Sequence, residues 1–195
     1  SPACTDGGTE VTRAVGRSVT FHLQSPDGEA TAWSFHNDII VTIKAGNPPE
    51  AIFFDNSYKP RLAFSENGYA LTISQLRMED AGTYTAKTAT RKAIFTLHVY
   101  RELEVPTVTC AVQNCSAGSC HYTLHCTAAA PGSGNISYAW TMGLGLWSEG
   151  PTLPVEEAPS EESPLTCTAQ NPVSSRNTTV TSLALCAGNK QARTH

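Results

Sequence analysis

The densest cluster of reactive side chains in the sequence is CHYTLHC, Cys120 to Cys126. Two cysteines and two histidines within so short a run are donors that zinc accepts in tetrahedral sites. Strand periodicity works against such a site. Alternation puts Cys120, Tyr122, Leu124 and Cys126 on one face and His121, Thr123 and His125 on the other, so one strand cannot aim both sets at one ion. The paired glutamates Glu156/Glu157 and Glu161/Glu162 stand in an acidic stretch without apolar surroundings to raise a carboxyl pKa, which reads as a solvated loop rather than a glycosidase pair. The chain contains no Gly-x-Ser-x-Gly elbow, phosphate loop or catalytic cysteine signature. The expectation is a protein without enzymatic chemistry, metal or cofactor.

Cysteine usage points to a compartment. Of the 7 cysteines, only Cys4 lies in the first hundred residues, and the others fall between Cys110 and Cys186. Three N-glycosylation sequons accompany them, at Asn114 (NCS), Asn135 (NIS) and Asn177 (NTT). Clustered cysteines beside sequons indicate an oxidising, extracellular setting. The formal net charge is −4. Up to Tyr100 the chain carries 9 Lys/Arg against 10 Asp/Glu, which disfavours nucleic acid as a partner, and nothing suggests a small-molecule substrate. No apolar run approaches the ~20 residues of a membrane span, and no secretory apolar segment opens the sequence. The expected location is therefore the extracellular face of the plasma membrane. Here the chain would be a soluble ectodomain, from a full-length protein held by a single span or a lipid anchor.

Positioning elements follow from the periodicity. Short alternating apolar segments recur roughly every 8–12 residues with Gly, Pro, Asn or Asp between them, the spacing of a β-sandwich. In the first half strands are expected near 10–15, 18–24, 30–36, 39–44, 51–54, 61–65, 69–75, 83–89 and 92–100. YRELEVPTVT, residues 100–109, reads as a junction, because its proline favours extended backbone and cannot donate to a central ladder. The second half gives strands near 106–112, 120–128, 136–142, 152–156, 164–170 and 178–186, with PVEEAPSEES, residues 154–163, as a loop in place of some middle strands. The expected fold is all-β, two tandem immunoglobulin-like sandwiches with domains at 1–101 and 102–195. The first would be V-type and the second C2-type.

DAGTYTA, residues 80–86, carries the immunoglobulin reading of the first half. It matches the Asp-x-Gly-x-Tyr-x-Cys run into strand F, with Ala86 at the cysteine position. Trp33 in TAWSF is the strand C tryptophan, and Leu23 stands where strand B would carry the other cysteine. Leu23 and Ala86 are thus expected as an apolar plug in place of a bridge worth roughly 4 kcal/mol for a loop of ~60 residues. Tyr84 can form the tyrosine corner, and Arg61 and Asp80 the ion pair across the base of the sandwich. In the second half Cys126, Trp140 and Cys167 supply the bridge and its tryptophan. Cys120 and Cys186 are expected to tie the first and last strands, with Cys110 and Cys115 closing a small local loop. Cys4 is left free, capped, or linked to another chain.

A variable-type domain without its disulfide followed by a constant-type domain with two resembles the ectodomain of the SLAM family of leukocyte receptors. RMEDAGTY (77–84), LHVYRELEVPTVT (97–109), CTAQNPVS (167–174) and LCAG (185–188) are similar to that family's segments. The resemblance covers nearly the whole chain. Departures are Leu165 in place of a tyrosine before Thr-Cys, the additional Cys4, Cys110 and Cys115, and a short F–G connection, TATRK (88–92).

The resemblance implies adhesion or co-signalling through the sheet formed by strands G, F, C and C′ of the first domain. The partner would be another SLAM-family ectodomain in trans, homophilic or heterophilic. Alternation places Ser34 and His36, Thr42 and Lys44, Thr85 and Lys87, and Thr96 and His98 outward on that sheet, joined by Arg91 and Lys92 from the F–G turn. These residues form the candidate binding face, expected to be basic with little acid and to favour an acidic partner surface. The second domain would be a glycosylated stalk. Two other readings share the fold: a captured, viral homologue acting as a decoy for a host receptor, and a structural spacer that binds nothing.

Overall fold

A computed structural model describes residues 8–24, 28–65, 68–116, 118–143, 145–157, 164–182 and 184–186. Cys4 lies outside the described residues. The chain divides into two compact units, Ser1–Tyr100 and Arg101–His195.

The first unit contains β1 (Thr9–Ala14), β2 (Val19–His22), β3 (Ala30–Phe35), β4 (Asp38–Lys44), β5 (Glu50–Phe53), β6 (Leu62–Phe64), β7 (Ala70–Ile73), β8 (Gly82–Lys87) and β9 (Lys92–Tyr100). They form a six-stranded sheet in the order β1-β9-β8-β3-β4-β5 and a three-stranded sheet in the order β2-β7-β6. This is the V-type arrangement expected from nine alternating segments. In immunoglobulin letters β9, β8, β3, β4 and β5 are G, F, C, C′ and C″. β1 runs parallel to β9, with Glu10 opposite Thr96.

Aromatic rings fill the space where a V-type domain holds its disulfide. Phe21 lies with its ring centroid 6.3 Å from Trp33, 5.1 Å from Tyr84 and 4.9 Å from Phe95. Ala86 is buried, whereas Leu23 is half-buried and packs at the edge of this cluster. The plug is therefore larger than the expected Leu23/Ala86 pair. Offset or tilted ring contacts of this kind contribute roughly 0.5–1.5 kcal/mol each beyond burial, enough in sum to offset much of a missing bridge.

The DAGTY segment works as one device. The Asp80 carboxylate accepts two hydrogen bonds from the Arg61 guanidinium, at 2.7 and 2.9 Å, and one from the Arg77 amide at 2.8 Å. The Tyr84 hydroxyl donates to the Asp80 carbonyl at 2.6 Å, closing the tyrosine corner. Between them Gly82 adopts φ +144°, and a Cβ there would come within 2.5 Å of the His36 ring and 2.8 Å of Phe35. Only glycine fits that approach.

The second unit contains β10 (Thr107–Ser116), β11 (Ser119–Thr127), β12 (Ser137–Met142), β13 (Gly145–Glu149), β14 (Thr152–Glu157), β15 (Pro164–Gln170) and β16 (Ser175–Thr181). They form sheets β10-β11-β14 and β13-β12-β15-β16. Two sequence expectations are corrected here. Gly145–Glu149 forms a strand that was not foreseen. The strand expected near 152–156 is β14, and it takes in Pro154–Glu157 from the start of the expected loop, because Leu153 and Val155 alternate inward opposite Leu124 and Tyr122. β14 is an edge strand, where Pro154 costs no central ladder bond. The remainder of that acidic segment, 158–163, lies outside the described residues.

The Cys126–Cys167 bridge is present, with Trp140 fully buried beside it. The other expected pairing is not. Cys110 bonds to Cys186, with Cα atoms 5.4 Å apart, so neither a Cys120–Cys186 nor a Cys110–Cys115 bridge exists. The last strand stops at Thr181, and the helical turn that follows brings Cys186 to the middle of β10, where Cys110 stands opposite Leu124. Cys120 sits at the far end of β11, opposite Cys115 in the β10–β11 register, and is itself disulfide-bonded.

The CTAQNPVS motif has a structural reason. The Asn171 side-chain amide donates to the carbonyls of Arg101 (2.8 Å) and Ser133 (3.0 Å), while its oxygen accepts from the Ser174 amide and hydroxyl, each at 2.8 Å. The Ser174 hydroxyl in turn accepts from the Leu103 amide at 2.8 Å. One buried asparagine thus ties the incoming chain, the loop before β12 and the β15–β16 turn together.

Candidate binding face of the first domain

Cross-strand register organises the outer side of the six-stranded sheet into rows. One row runs Lys92–Lys87–Ala32–Thr42–Ile52 across five strands, a span of about 19 Å at the usual strand spacing. The next runs Ile94–Thr85–Ser34–Ile39. Glu10, Thr96 and Thr83 form a third. The face is therefore graded, with cations at the F–G corner and apolar side chains at the C′–C″ corner.

Of the expected residues, Ser34, Thr85 and Thr96 lie half-buried in the centre of these rows, and Thr42 joins them on β4. Lys87, Arg91 and Lys92 are exposed around the F–G turn. That turn is a four-residue hairpin loop closed by a bond from the Thr88 amide to the Arg91 carbonyl at 2.9 Å, and the Arg91 amide donates to the Thr88 hydroxyl at 3.1 Å. Lys44 stands at the same end of the sheet, opposite Ala30. His98 is half-buried at the β1 side, its Nε2 3.7 Å from Glu10 Oε1.

His36 departs from expectation. It belongs to the two-residue turn between β3 and β4, with φ +49° at His36 and +69° at Asn37, the backbone of a primed hairpin turn. Its ring packs on Phe35 with centroids 3.9 Å apart, so it caps the end of the face rather than standing on a strand.

The expected shortage of acid is also corrected. Glu50 stands directly opposite Lys44, Glu10 lies beside His98, and Asp38 opens β4 at the end of the sheet away from the lysines. Glu50 and Glu10 thus stand among the basic side chains of this face.

Sequence reasoning missed the apolar corner. Ile39, Ile52 and Phe54 are 43%, 55% and 62% exposed. A bulge explains Ile39: Trp33 faces Val41 while Ser34 faces Ile39, so the additional residue Ile40 turns inward beside Val41. The signal was in DIIVTIK and AIFF, where apolar residues occupy both phases of the alternation and one set must meet solvent. Ile39 and Phe54 border a depression of ≈ 610 Å³ that also reaches Asp38, Tyr58 and Arg61.

Burial raises the Tyr84 hydroxyl well above the usual tyrosine range, helped by the neighbouring Tyr58 hydroxyl and Asp80. Tyr58 is raised by the same loss of solvent. The hydrogen bonds to Asp80 hold Arg61 still more firmly protonated. These groups brace the base of the sandwich.

SLAM family member 5 of Mus musculus is 31% identical over 86% of this chain and 52% of its own length. The T-lymphocyte surface antigen Ly-9 of Homo sapiens is 33% identical over 96% of the chain and 31% of its own length. SLAM family member 7 of Homo sapiens is 32% identical over 92% of the chain and 57% of its own length. The chain is a relative of the SLAM-family receptors. Its likeness to them runs through both units of this chain, which spans from about a third to somewhat over half the length of these relatives. No family model matches the chain. Among solved structures, the CD2-binding domain of CD58 aligns with TM-score 0.63 at 20% identity, and murine CEACAM1b with 0.63 at 19%, each over 87% of this chain and 94% of the other. These show the shared two-domain immunoglobulin fold.

Proposed function

We propose that this SLAM-family relative is the ectodomain of a leukocyte cell-surface adhesion or co-signalling receptor. Its first domain (residues 1–101) binds the first domain of another SLAM-family molecule through the outer face of β9, β8, β3, β4 and β5. The observation that carries this reading is the exposed apolar corner Ile39, Ile52 and Phe54, set on the same sheet as the lysine-rich F–G corner. Exposed large apolar groups bordered by charge are a usual mark of a protein-docking surface. All three sequons lie in the second half of the chain, so the first domain carries no N-linked attachment sequence of its own. The second domain (102–195) acts as a disulfide-braced, glycosylated stalk.

The lysines steer approach and the apolar corner holds the bound state. A panel of SLAM-family first domains, this chain included, is tested by surface plasmon resonance against the wild type, Lys87→Glu and His22→Glu, the last on the opposite sheet. Loss of binding in Lys87→Glu alone supports the face. Equal effects of the two substitutions, or no binding to any panel member, sink it.

A further inference from the structure

In the second domain, polar residues pair across the sheet β13-β12-β15-β16. Register sets Ser137 beside Gln170, and Glu149, Ala139, Thr168 and Asn177 in one cross-strand row. A depression of ≈ 400 Å³ lies over Ala139, Thr168, Gln170 and Glu149. It shares Ile136, Ser137 and Gln170 with a second depression, of ≈ 370 Å³, whose wall includes Asn135. The two make a continuous groove along β12 that begins at an exposed sequon asparagine.

We propose that this groove seats the core sugars of an N-linked glycan carried on Asn135. Its lining suits a saccharide. Hydroxyl and amide groups from Thr168 and Gln170, and the Glu149 carboxylate, offer partners for the hydroxyl-bearing edges of the sugar rings. Ile136 and Ala139 offer apolar surface for their C–H faces. Among the described residues neither Lys nor Arg lines the groove, so they offer an anionic ligand no counter-charge there. Attachment at one end makes the contact intramolecular, and weak individual hydrogen bonds then suffice to hold the sugars in place. Asn177, paired with Thr168 on the neighbouring strand, lies one strand away from the groove. A glycan seated here closes this face of the second domain to protein partners.

The experiment uses the full chain with Asn114→Gln and Asn177→Gln, secreted from cells fed 13C-labelled glucose, so that every labelled glycan signal arises from Asn135. Peptide mass gives occupancy, and carbon–proton correlation spectra report the second and third sugars. The expected result is an occupied site whose anomeric signals are displaced from those of the released glycan and share the line width of the protein. Adding Glu149→Ala and Gln170→Ala returns them to free-glycan positions while near-ultraviolet circular dichroism stays unchanged. If that pair disturbs folding, Glu149→Gln alone gives a partial return. An unoccupied Asn135, or wild-type groove signals already at free-glycan positions and widths, overturns the proposal. So does displacement seen only in the converse chain that keeps Asn177 and carries Asn135→Gln.

Discussion

Lys87 and Lys92 stand directly opposite one another across the β8–β9 hairpin, two exposed cations held in register at the F–G corner. Like charges placed directly opposite weaken a strand pair by a few tenths of a kcal/mol or more. The fold gains nothing from the arrangement, which accords with the proposed binding role of this corner.

Reversing Lys87 is therefore expected to separate binding from folding. Lys87→Glu leaves the melting temperature unchanged or slightly raised, since it converts a repulsive pair into an attractive one. Affinity for the partner falls at least about tenfold, mostly in the on-rate and more at low salt than at high. Surface plasmon resonance across a salt series, with thermal melts alongside, checks both halves.

At the opposite corner the expected signature is kinetic. Phe54→Ala and Ile52→Ala remove exposed apolar groups, so stability changes by less than about 0.5 kcal/mol. If Phe54 fills a pocket on the partner, its loss costs about 2 kcal/mol of binding, roughly 30-fold, expressed in the off-rate. An unchanged off-rate in both variants places the bound surface elsewhere on the domain.

Alkaline unfolding should report the tyrosine corner. Burial keeps Tyr84 and Tyr58 protonated in the folded domain at pH values where the unfolded chain, titrating near about 10, has released those protons. Their contribution is complete below that pH and is lost as pH rises toward the folded values. Tyr84→Phe lowers stability at neutral pH by about 1 kcal/mol, through loss of the bond to the Asp80 carbonyl. The same substitution flattens the decline above pH ~10. Urea melts of the first domain's signal at pH 7, 9 and 10.5 measure both effects.

Asn171→Ala tests the hub of the second domain. The substitution leaves the Arg101 and Ser133 carbonyls and the Ser174 amide short of partners in a largely buried setting. A cost of about 2–4 kcal/mol is expected, with the β15–β16 turn losing amide-exchange protection first. Asn171→Asp keeps the acceptor but not the donor and should fall between.

The residues that specify this fold locally were legible in the sequence. Short apolar segments between turn residues marked the nine strands of the first domain, with clean period-two alternation where one face is buried and the other is not, as in β8 and β9. DAGTY announced the corner, since Asp80, Gly82 and Tyr84 act within a few residues of one another. Cys126, Trp140 and Cys167 announced the second core in the same way.

What the tertiary structure decided is register and the fate of chain ends. Alternation assigns a side chain to a face but not to a neighbour, so the row from Lys92 to Ile52 and the facing of Glu50 with Lys44 emerged only when strands distant in sequence paired. The bulge at Ile40 shifted the phase of β4 and brought Ile39 to the surface, which no count of apolar residues could locate. Cys186 met Cys110 rather than Cys120 because the last strand ends at Thr181 and the chain turns back onto β10. A disulfide is chosen by the distance between two Cα atoms, and that distance is a property of packing, not of sequence spacing.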